Sequence, residues 1–290
     1  GAILFSGKAI LIKLAYGYGT DSATILALRM LMALPIFWLI YWWQARRQAM
    51  SVLSTLDIGK IIVLGFLGYF LSSYLDFLGL QYISVGLERI VLYLTPTIVL
   101  LISYFVLKKP INQTQWYALI IGYIGVIVVF IEDAQYSGLT AWLGMLLVFG
   151  AASTYAVYMI GSGEMVKRIG SIRLVVFASS SSAFFSLIQA LLLNPNSLLT
   201  QPTEIYWLSL INASVCTVLP MLLIMMSINR IGSPLVAQAG IVGPVSTIFM
   251  GSIFLSEPVS HWQISGMIIV IIAMWFLVRS DKPNVKVETQ

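Results

Sequence analysis

Charge is what this chain has least of. Asp, Glu, Lys and Arg make up 9% of its 290 residues, against about 25% in soluble globular domains, so a fold kept in water by its own surface is excluded. Cysteine occurs once, at Cys216, and histidine once, at His261. An intrachain disulfide is therefore impossible, and no His/Cys cluster offers a zinc site. The phosphate-cradling pattern GxxxxGK[ST] is missing, which leaves ATP-driven work by this chain alone unsupported. No cofactor is expected. The loops are too short to display a further domain, and no cleavable leader pattern is read. The chain opens on Gly1 rather than methionine and its first apolar run is short for a span, which predicts a clipped start.

What is present is apolar sequence. Hydrophobic residues make up 59% and the mean hydropathy is +0.95. A window of about 19 residues finds ten apolar segments, at 1–18, 22–43, 60–80, 85–107, 113–131, 138–160, 171–193, 204–228, 233–256 and 261–279. Runs of about 20 apolar residues span a bilayer as helices. The net charge of +5 sits between spans and does not point to nucleic acid. Arg46, Arg47 and Lys60 follow span two, Lys108 and Lys109 span four, Lys167, Arg168 and Arg173 span six, and Arg230 span eight. The tail carries Arg279, Lys282 and Lys286, whereas the alternate loops hold Asp21, Glu132, Asp133, Glu204 and Glu257 without Lys or Arg. Positive loops stay cytoplasmic, so both termini are expected inside.

The sequence also repeats. Shifting by 148 residues lays Pro96 on Pro244, Pro110 on Pro258 and Gln115 on Gln263 in one register. Each unit holds five spans, an odd number, so the second enters the membrane upside down. The expected fold is all-α: ten transmembrane helices as two inverted five-helix repeats, residues 1–132 and 138–280, with a cytoplasmic tail at 281–290. Such pairs rock about a midplane site. Pro96 and Pro244 fall inside spans, where proline removes a backbone hydrogen bond and bends the helix. Their matched positions predict paired bends that gate the site. Turns at Gln81–Ser84 and Asn229–Ser233 would close spans three to four and eight to nine as hairpins.

FSGKAILIKL in span one, ALRMLMALP with Arg29 in span two, GLQYISVGLERIVLYLTPT, and Pro258 followed by WQISG carry a family likeness over nearly the whole chain. The sequence resembles the drug/metabolite transporter superfamily, specifically its ten-helix EamA-type permeases. One departure is Lys109, which stands where the family usually has an acidic residue before the proline ending span four; Glu257 keeps it in the second half. The resemblance implies movement of small metabolites, often amino acids, commonly as efflux, in a bacterial inner membrane.

Charges inside spans need a reason, because each costs about 2.5–3.5 kcal/mol at the bilayer centre on insertion scales. The stretch SSYLDFLGLQYISVGLERIVLYLTP holds Asp76, Glu88 and Arg89, and spans one and two add Lys8, Lys13 and Arg29. All six belong to the first repeat and must face a wet cavity or one another. Glu88 is expected to pair with Lys8 or Arg29, and Arg89 with Asp76; Lys13, near a helix end, is expected to snorkel. The formal excess of two positive charges favours a carboxylate-bearing or zwitterionic solute. The expected solute-binding set is Lys8, Arg29, Asp76, Glu88, Arg89, Tyr93, Tyr155 and Gln238. Internal salt bridges that only fix helix packing are the competing reading for each charge. Glu88 or Asp76 would titrate in a proton-coupled cycle, since burial disfavours the charged carboxylate. No metal site is expected, and the oligomeric state is not read from the sequence.

The leading function is secondary transport of small organic metabolites by alternating access. A broad-specificity exporter of drugs or toxic metabolites is the alternative. A membrane-embedded enzyme would need a nucleophile, metal or acid/base pair that the sequence does not supply, and a passive channel fits the inverted repeat less well.

Overall fold

The computed structural model describes residues 2–46, 53–106, 108, 110–223, 242–257 and 259–280; within the helices, nothing is said of the side chains of 2, 132–137, 164, 167, 242, 278 and 280. Every regular element among them is helical. The helices are α1 (Ala2–Tyr16), α2 (Ser22–Ala45), α3 (Thr55–Gly79), α4 (Val85–Phe105), α5 (Gln113–Ser137), α6 (Leu139–Ile169), α7 (Ser171–Leu193), α8 (Thr203–Leu223), α9 (Val242–Leu255) and α10 (His261–Ser280).

Seven of them, α2 to α8, contain stretches long and apolar enough to cross a membrane, and α9 and α10 contribute the shorter apolar stretches Gly243–Leu255 and His261–Leu277. Their outward faces are apolar too. Ile120, Ile124, Ile127 and Ile131 of α5 are all exposed, a stripe at helical spacing that suits lipid rather than water. Two apolar clusters fill the interior. One joins α1, α2, α3, α6 and α7 around Phe77, Leu26 and Ile12; the other joins α4, α5, α6 and α10 around Leu87, Leu94 and Val129.

Start signals are local. Ser54 caps α3 by accepting from the Asp57 N–H at 3.2 Å, and Asp21 caps α2 by accepting from Thr24 N–H at 2.9 Å. The Gln115/Gln263 coincidence has the same origin. Asn112 Oδ1 accepts from Gln115 N–H at 2.8 Å while Gln115 Oε1 accepts from Asn112 N–H, and Ser260 Oγ accepts from Gln263 N–H at 3.0 Å. In each case the capping side chain accepts from the backbone N–H of a glutamine three positions later, and at Asn112 the glutamine side chain returns the bond.

The 148-residue offset recurs in the fold. Thr55 and Thr203 open α3 and α8, and Gln113 and His261 open α5 and α10. Both α3 and α8 widen into a π-helical stretch, Phe66–Leu71 and Ser214–Val218, again 148 apart at their starts. The helix pairs in contact follow suit: α5 packs on α10 and α2 on α7, while α1 against α8 matches α6 against α3, and α1 against α9 matches α6 against α4. Within these pairs, replacing each helix by the one five places on returns the same pairs.

Some boundaries differ from the hydropathy reading. Helix α3 begins at Thr55 rather than near residue 60, because Ser54 supplies the cap. Helix α6 runs to Ile169, well past residue 160, and stops where Gly170 takes a φ of 84°. The turn after Gly79 falls as expected, with helix resuming at Val85; the turn expected at Asn229–Ser233 lies outside the described residues.

Candidate functional site

Proline opens the site. Pro96 has no N–H to give the Leu92 carbonyl, and α4 breaks there into Val85–Leu92 and Thr95–Phe105. Thr95 Oγ1 donates to the Leu92 carbonyl at 2.6 Å, and Thr97 Oγ1 to the Leu94 carbonyl at 2.7 Å. Neighbouring hydroxyls thus supply donors where the ladder is interrupted, as backbone at membrane depth requires. The break turns Leu92, Tyr93 and Thr95 toward a cavity of about 180 Å³. Such a volume exceeds the ~15 Å³ that one water needs.

The π-helical stretch of α3 and the α-helical residues that follow it form the facing wall. Gly68, Tyr69, Ser72, Ser73 and Asp76 line the cavity, and α1, α2, α6 and α8 add Phe5 and Lys8, Arg29 and Met30, Tyr155, and Thr217 and Met221. A Cβ on Gly68 would sit 2.2 Å from Tyr158 Cγ, so only glycine lets α6 press against α3 here. Tyr158 donates to Tyr69 Oη at 3.1 Å, fixing that wall. A π-helical turn next to a cavity is a recurring functional arrangement.

Of the eight side chains expected to contact solute, Lys8, Arg29, Asp76, Arg89, Tyr93 and Tyr155 meet at this cavity. Glu88 does not line it. Its carboxylate is fully buried behind Arg89, in the electrostatic field of Arg89, Asp76 and Lys8. Gln238 lies outside the described residues. Pro244 sits near the start of described α9, where Gly243 accepts bonds from Ser6 Oγ at 3.0 Å and Thr247 Oγ1 at 3.1 Å.

The pairings differ from the expected ones. Lys8 Nζ meets Asp76 Oδ2 at 2.5 Å, so Asp76 is engaged by Lys8 rather than Arg89. Arg89 instead donates from Nε to Thr247 Oγ1 at 3.1 Å and from Nη2 to the Phe5 carbonyl at 3.3 Å, with Nε 3.8 Å from Glu88 Oε2. The reason is direction: Glu88 and Arg89 are adjacent on a helix and leave it about 100° apart, and Arg89 reaches across to α1 and α9 while its stem passes its neighbour. The Phe5 ring lies 5.3 Å from Lys8 Nζ and 5.6 Å from Arg89 Cζ, a cation–π platform for both. Arg29 bonds Ser73 Oγ through Nη2 at 2.9 Å, with Cζ 4.8 Å from the centre of the Phe77 ring.

A set of bonds ties the helix ends together beyond Lys8 and Asp76. Lys13, expected to snorkel, is tied to Glu257 Oε1 at 2.8 Å, and Glu257 Oε2 accepts from the Val85 N–H at 3.2 Å. Tyr16 Oη donates to the Phe77 carbonyl at 2.5 Å, and Gln81 Nε2 to Ser22 Oγ at 2.9 Å. An open depression of about 430 Å³ is lined by Lys13 and Tyr16 themselves with Thr20 and Gln81. Among the described residues no cluster of His, Cys, Asp or Glu is arranged to hold a metal.

A charged cavity inside an apolar helical bundle is the anatomy of a membrane carrier, and sequence comparison agrees. The sequence model of the EamA-like transporter family matches residues 1–131 and 142–279. The chain belongs to the EamA-like transporter family. Its curated relatives are named transporters rather than enzymes. "Uncharacterized transporter YcbK" of Bacillus subtilis is 29% identical over 92% of this chain and 86% of its own length. "Uncharacterized transporter YoaV" of the same organism is 21% identical over 82% and 80%. A solved crystal structure covers 96% of this chain and 98% of its own at a TM-score of 0.61 and 16% identity, a likeness of fold alone. This EamA-like chain is a multi-pass integral membrane protein.

Sequence reasoning missed Phe5, Met30, Tyr69, Ser72, Ser73, Thr95, Thr217 and Met221, all of which line the cavity. A signal existed for part of the set. Gly68 and Ser72 lead back from Asp76 in steps of four, as Tyr69 leads to Ser73 and Thr217 to Met221, the spacing of one helix face.

Proposed function

We propose that this protein is a secondary transporter that moves small carboxylate-bearing or zwitterionic solutes, amino acids among them, out of a bacterial cell across its plasma membrane by alternating access. The observation that carries the reading is the cavity itself. Three cations, Lys8, Arg29 and Arg89, and one anion, Asp76, border a space at the break in α4. Burying this many charges is costly, and a solute that replaces water around them offsets that cost only if its own charges match.

Alternating access is supported by the recurring offset. The starts of α3 and α8 and of α5 and α10, and the starts of the two π-helical stretches, repeat with the register that relates Pro96 to Pro244, several packing pairs correspond, and the family matches fall in two stretches. On this reading residues 1–132 and 138–280 are two inverted repeats of five spans, ten in all, with both termini and the 281–290 tail cytoplasmic. The Lys13–Glu257 end then faces outside and closes the carrier there. Glu88, buried beside Asp76, is the group placed to carry a proton in exchange. The aromatic lining by Phe5, Tyr69, Tyr93 and Tyr155 supports a second reading, a broad-specificity exporter of apolar compounds.

Counterflow in proteoliposomes against a panel of amino acids, related carboxylates and apolar cations tests the choice. Saturable exchange of carboxylates supports the proposal. Exchange of cations alone favours the second reading, and flux linear in concentration favours a pore.

A further inference from the structure

Three cations reach the cavity, but they are not equally available. Lys8 is held by Asp76 at 2.5 Å. Arg89 is held by Glu88, Thr247 and the Phe5 carbonyl. Arg29 is different. Among the described residues its guanidinium makes one bond, from Nη2 to Ser73 Oγ at 2.9 Å, and its buried Nε has no partner. Asp76 acts on it through space but forms no ion pair with it. The residue is 4% exposed, and it lines the cavity.

A buried guanidinium with open donors is costly unless a partner arrives. Its planar fork fits a carboxylate with two parallel bonds. The ion pairs agree: among the described residues Lys8 lies against Asp76 and Arg89 beside Glu88, whereas Arg29 has no carboxylate in ion-pair contact. Ser73 fixes one side of the fork and the Phe77 ring supports its face at 4.8 Å, so the group is aimed before solute enters and loses little entropy on binding.

We infer that Arg29 is the specificity-determining residue of the cavity and holds the solute's carboxylate, while Lys8 and Arg89 serve the protein's own anions. This deepens the proposed function and rests on it. It assigns the anionic end of the solute to α2, within reach of the Tyr69 and Tyr155 wall, and it makes the carboxylate rather than the amine the obligatory group.

The test uses the full chain purified in detergent, with thermal stabilisation by L-amino acids and straight-chain monocarboxylates, each compared with its uncharged amide and with the amine lacking the carboxylate. The wild type should bind acids about 10- to 100-fold more tightly than amides, the range expected for a charge-assisted pair. Arg29→Gln should lose that preference, Arg29→Lys should keep part of it, and Ser73→Ala should weaken it without abolishing it. Size-exclusion profiles identify any variant that fails to fold; Ser73→Ala, which leaves the buried charge in place, then carries the test. If Arg29→Gln, or in its stead Ser73→Ala, keeps the full preference of the wild type, the assignment to Arg29 is overturned while the carboxylate reading stands. If the wild type binds amides or amines as well as acids, or binds no acid in the panel, both fall.

Discussion

Lys13 of α1 and Glu257, in the link from α9 to α10, meet at 2.8 Å across 244 positions of sequence. Glu257 also accepts from the Val85 N–H at the start of α4. One carboxylate thus ties three helices together over the end of the cavity. Both side chains are more than a fifth exposed, at 23% and 21%, so the pair is worth about 0.2–1 kcal/mol. That is too little to matter for folding and enough to bias a closed state severalfold. Lys13→Gln should therefore leave the unfolding temperature nearly unchanged and raise labelling of a cavity cysteine, Met30→Cys in a Cys216→Ser background, by an impermeant maleimide from outside. The exchange Lys13→Glu with Glu257→Lys should restore the slow rate. Equal labelling in all three would show that the pair does not close this end.

The buried pair behaves differently. Lys8 and Asp76 are 5% and 2% exposed, and removing one partner leaves the other a buried charge without its counter-ion, at a cost of up to about 3–5 kcal/mol. Asp76→Asn should lower the midpoint of denaturant unfolding in detergent by a corresponding amount. Lys8→Met combined with Asp76→Leu, which removes both charges, should recover most of it. A double variant no better than the single one would assign the cost to something other than the stranded lysine.

Much of this fold can be read from hydropathy, because a helix in lipid must be apolar on the outside for its whole crossing. The reading fails where that constraint stops. Helix α6 continues to Ile169 through Gly161, Gly163 and Arg168, a polar turn that leaves the apolar layer but not the helix. The charges were legible as a group, since nothing else explains Asp76, Glu88 and Arg89 in one apolar stretch. Their pairing was not. Lys8 finds Asp76 because the fold brings both side chains to one cavity, a property of packing rather than of either sequence. The π-helical stretches left no signal in composition at all; only the repeated register places Phe66 with Ser214.

Glu88 gives the pH prediction. Arg89, Asp76 and Lys8 are the charged groups that act on it, and neither of its oxygens has a hydrogen-bond partner among the described residues. A proton taken up there would supply a donor where two carboxylates now face a shared field. If Glu88 carries the coupled proton, counterflow by the wild type should vary with pH and Glu88→Gln, fixed in the neutral form, should be flat across the same range. A Glu88→Gln profile that keeps the wild-type slope would rule the residue out.

Gly125 and Gly266 mark the closest approach of α5 and α10. A Cβ at Gly125 would stand 2.6 Å from Val270 Cγ2 and 2.9 Å from the Gly266 carbonyl; one at Gly266 would stand 2.2 Å from Val129 Cγ2. Small residues let membrane helices pack backbone to backbone, and filling such a contact costs about 1–3 kcal/mol. Gly266→Ala should lower thermal stability in detergent. Gly163→Ala, where a Cβ meets nothing within 4 Å, should be neutral or raise it by the ~1 kcal/mol that alanine gains in a helix. Similar losses at both positions would mean that the crossing is looser than its geometry suggests.

Pro96 separates stability from transport. Alanine there would return an N–H to the Leu92 carbonyl, which Thr95 Oγ1 now serves at 2.6 Å, and the two halves of α4 could join. Restoring a helical hydrogen bond should hold or raise the unfolding temperature. It should also straighten the segment that turns Tyr93 and Thr95 into the cavity and that links the Glu257–Val85 contact to the middle of the bundle. Pro96→Ala should therefore lose most of its counterflow while remaining well folded, and Thr95→Val, which removes only the hydroxyl, should lose stability instead. If Pro96→Ala transports at the wild-type rate, the break in α4 is an accident of packing, and the moving part of the carrier must be sought in the π-helical stretches of α3 and α8.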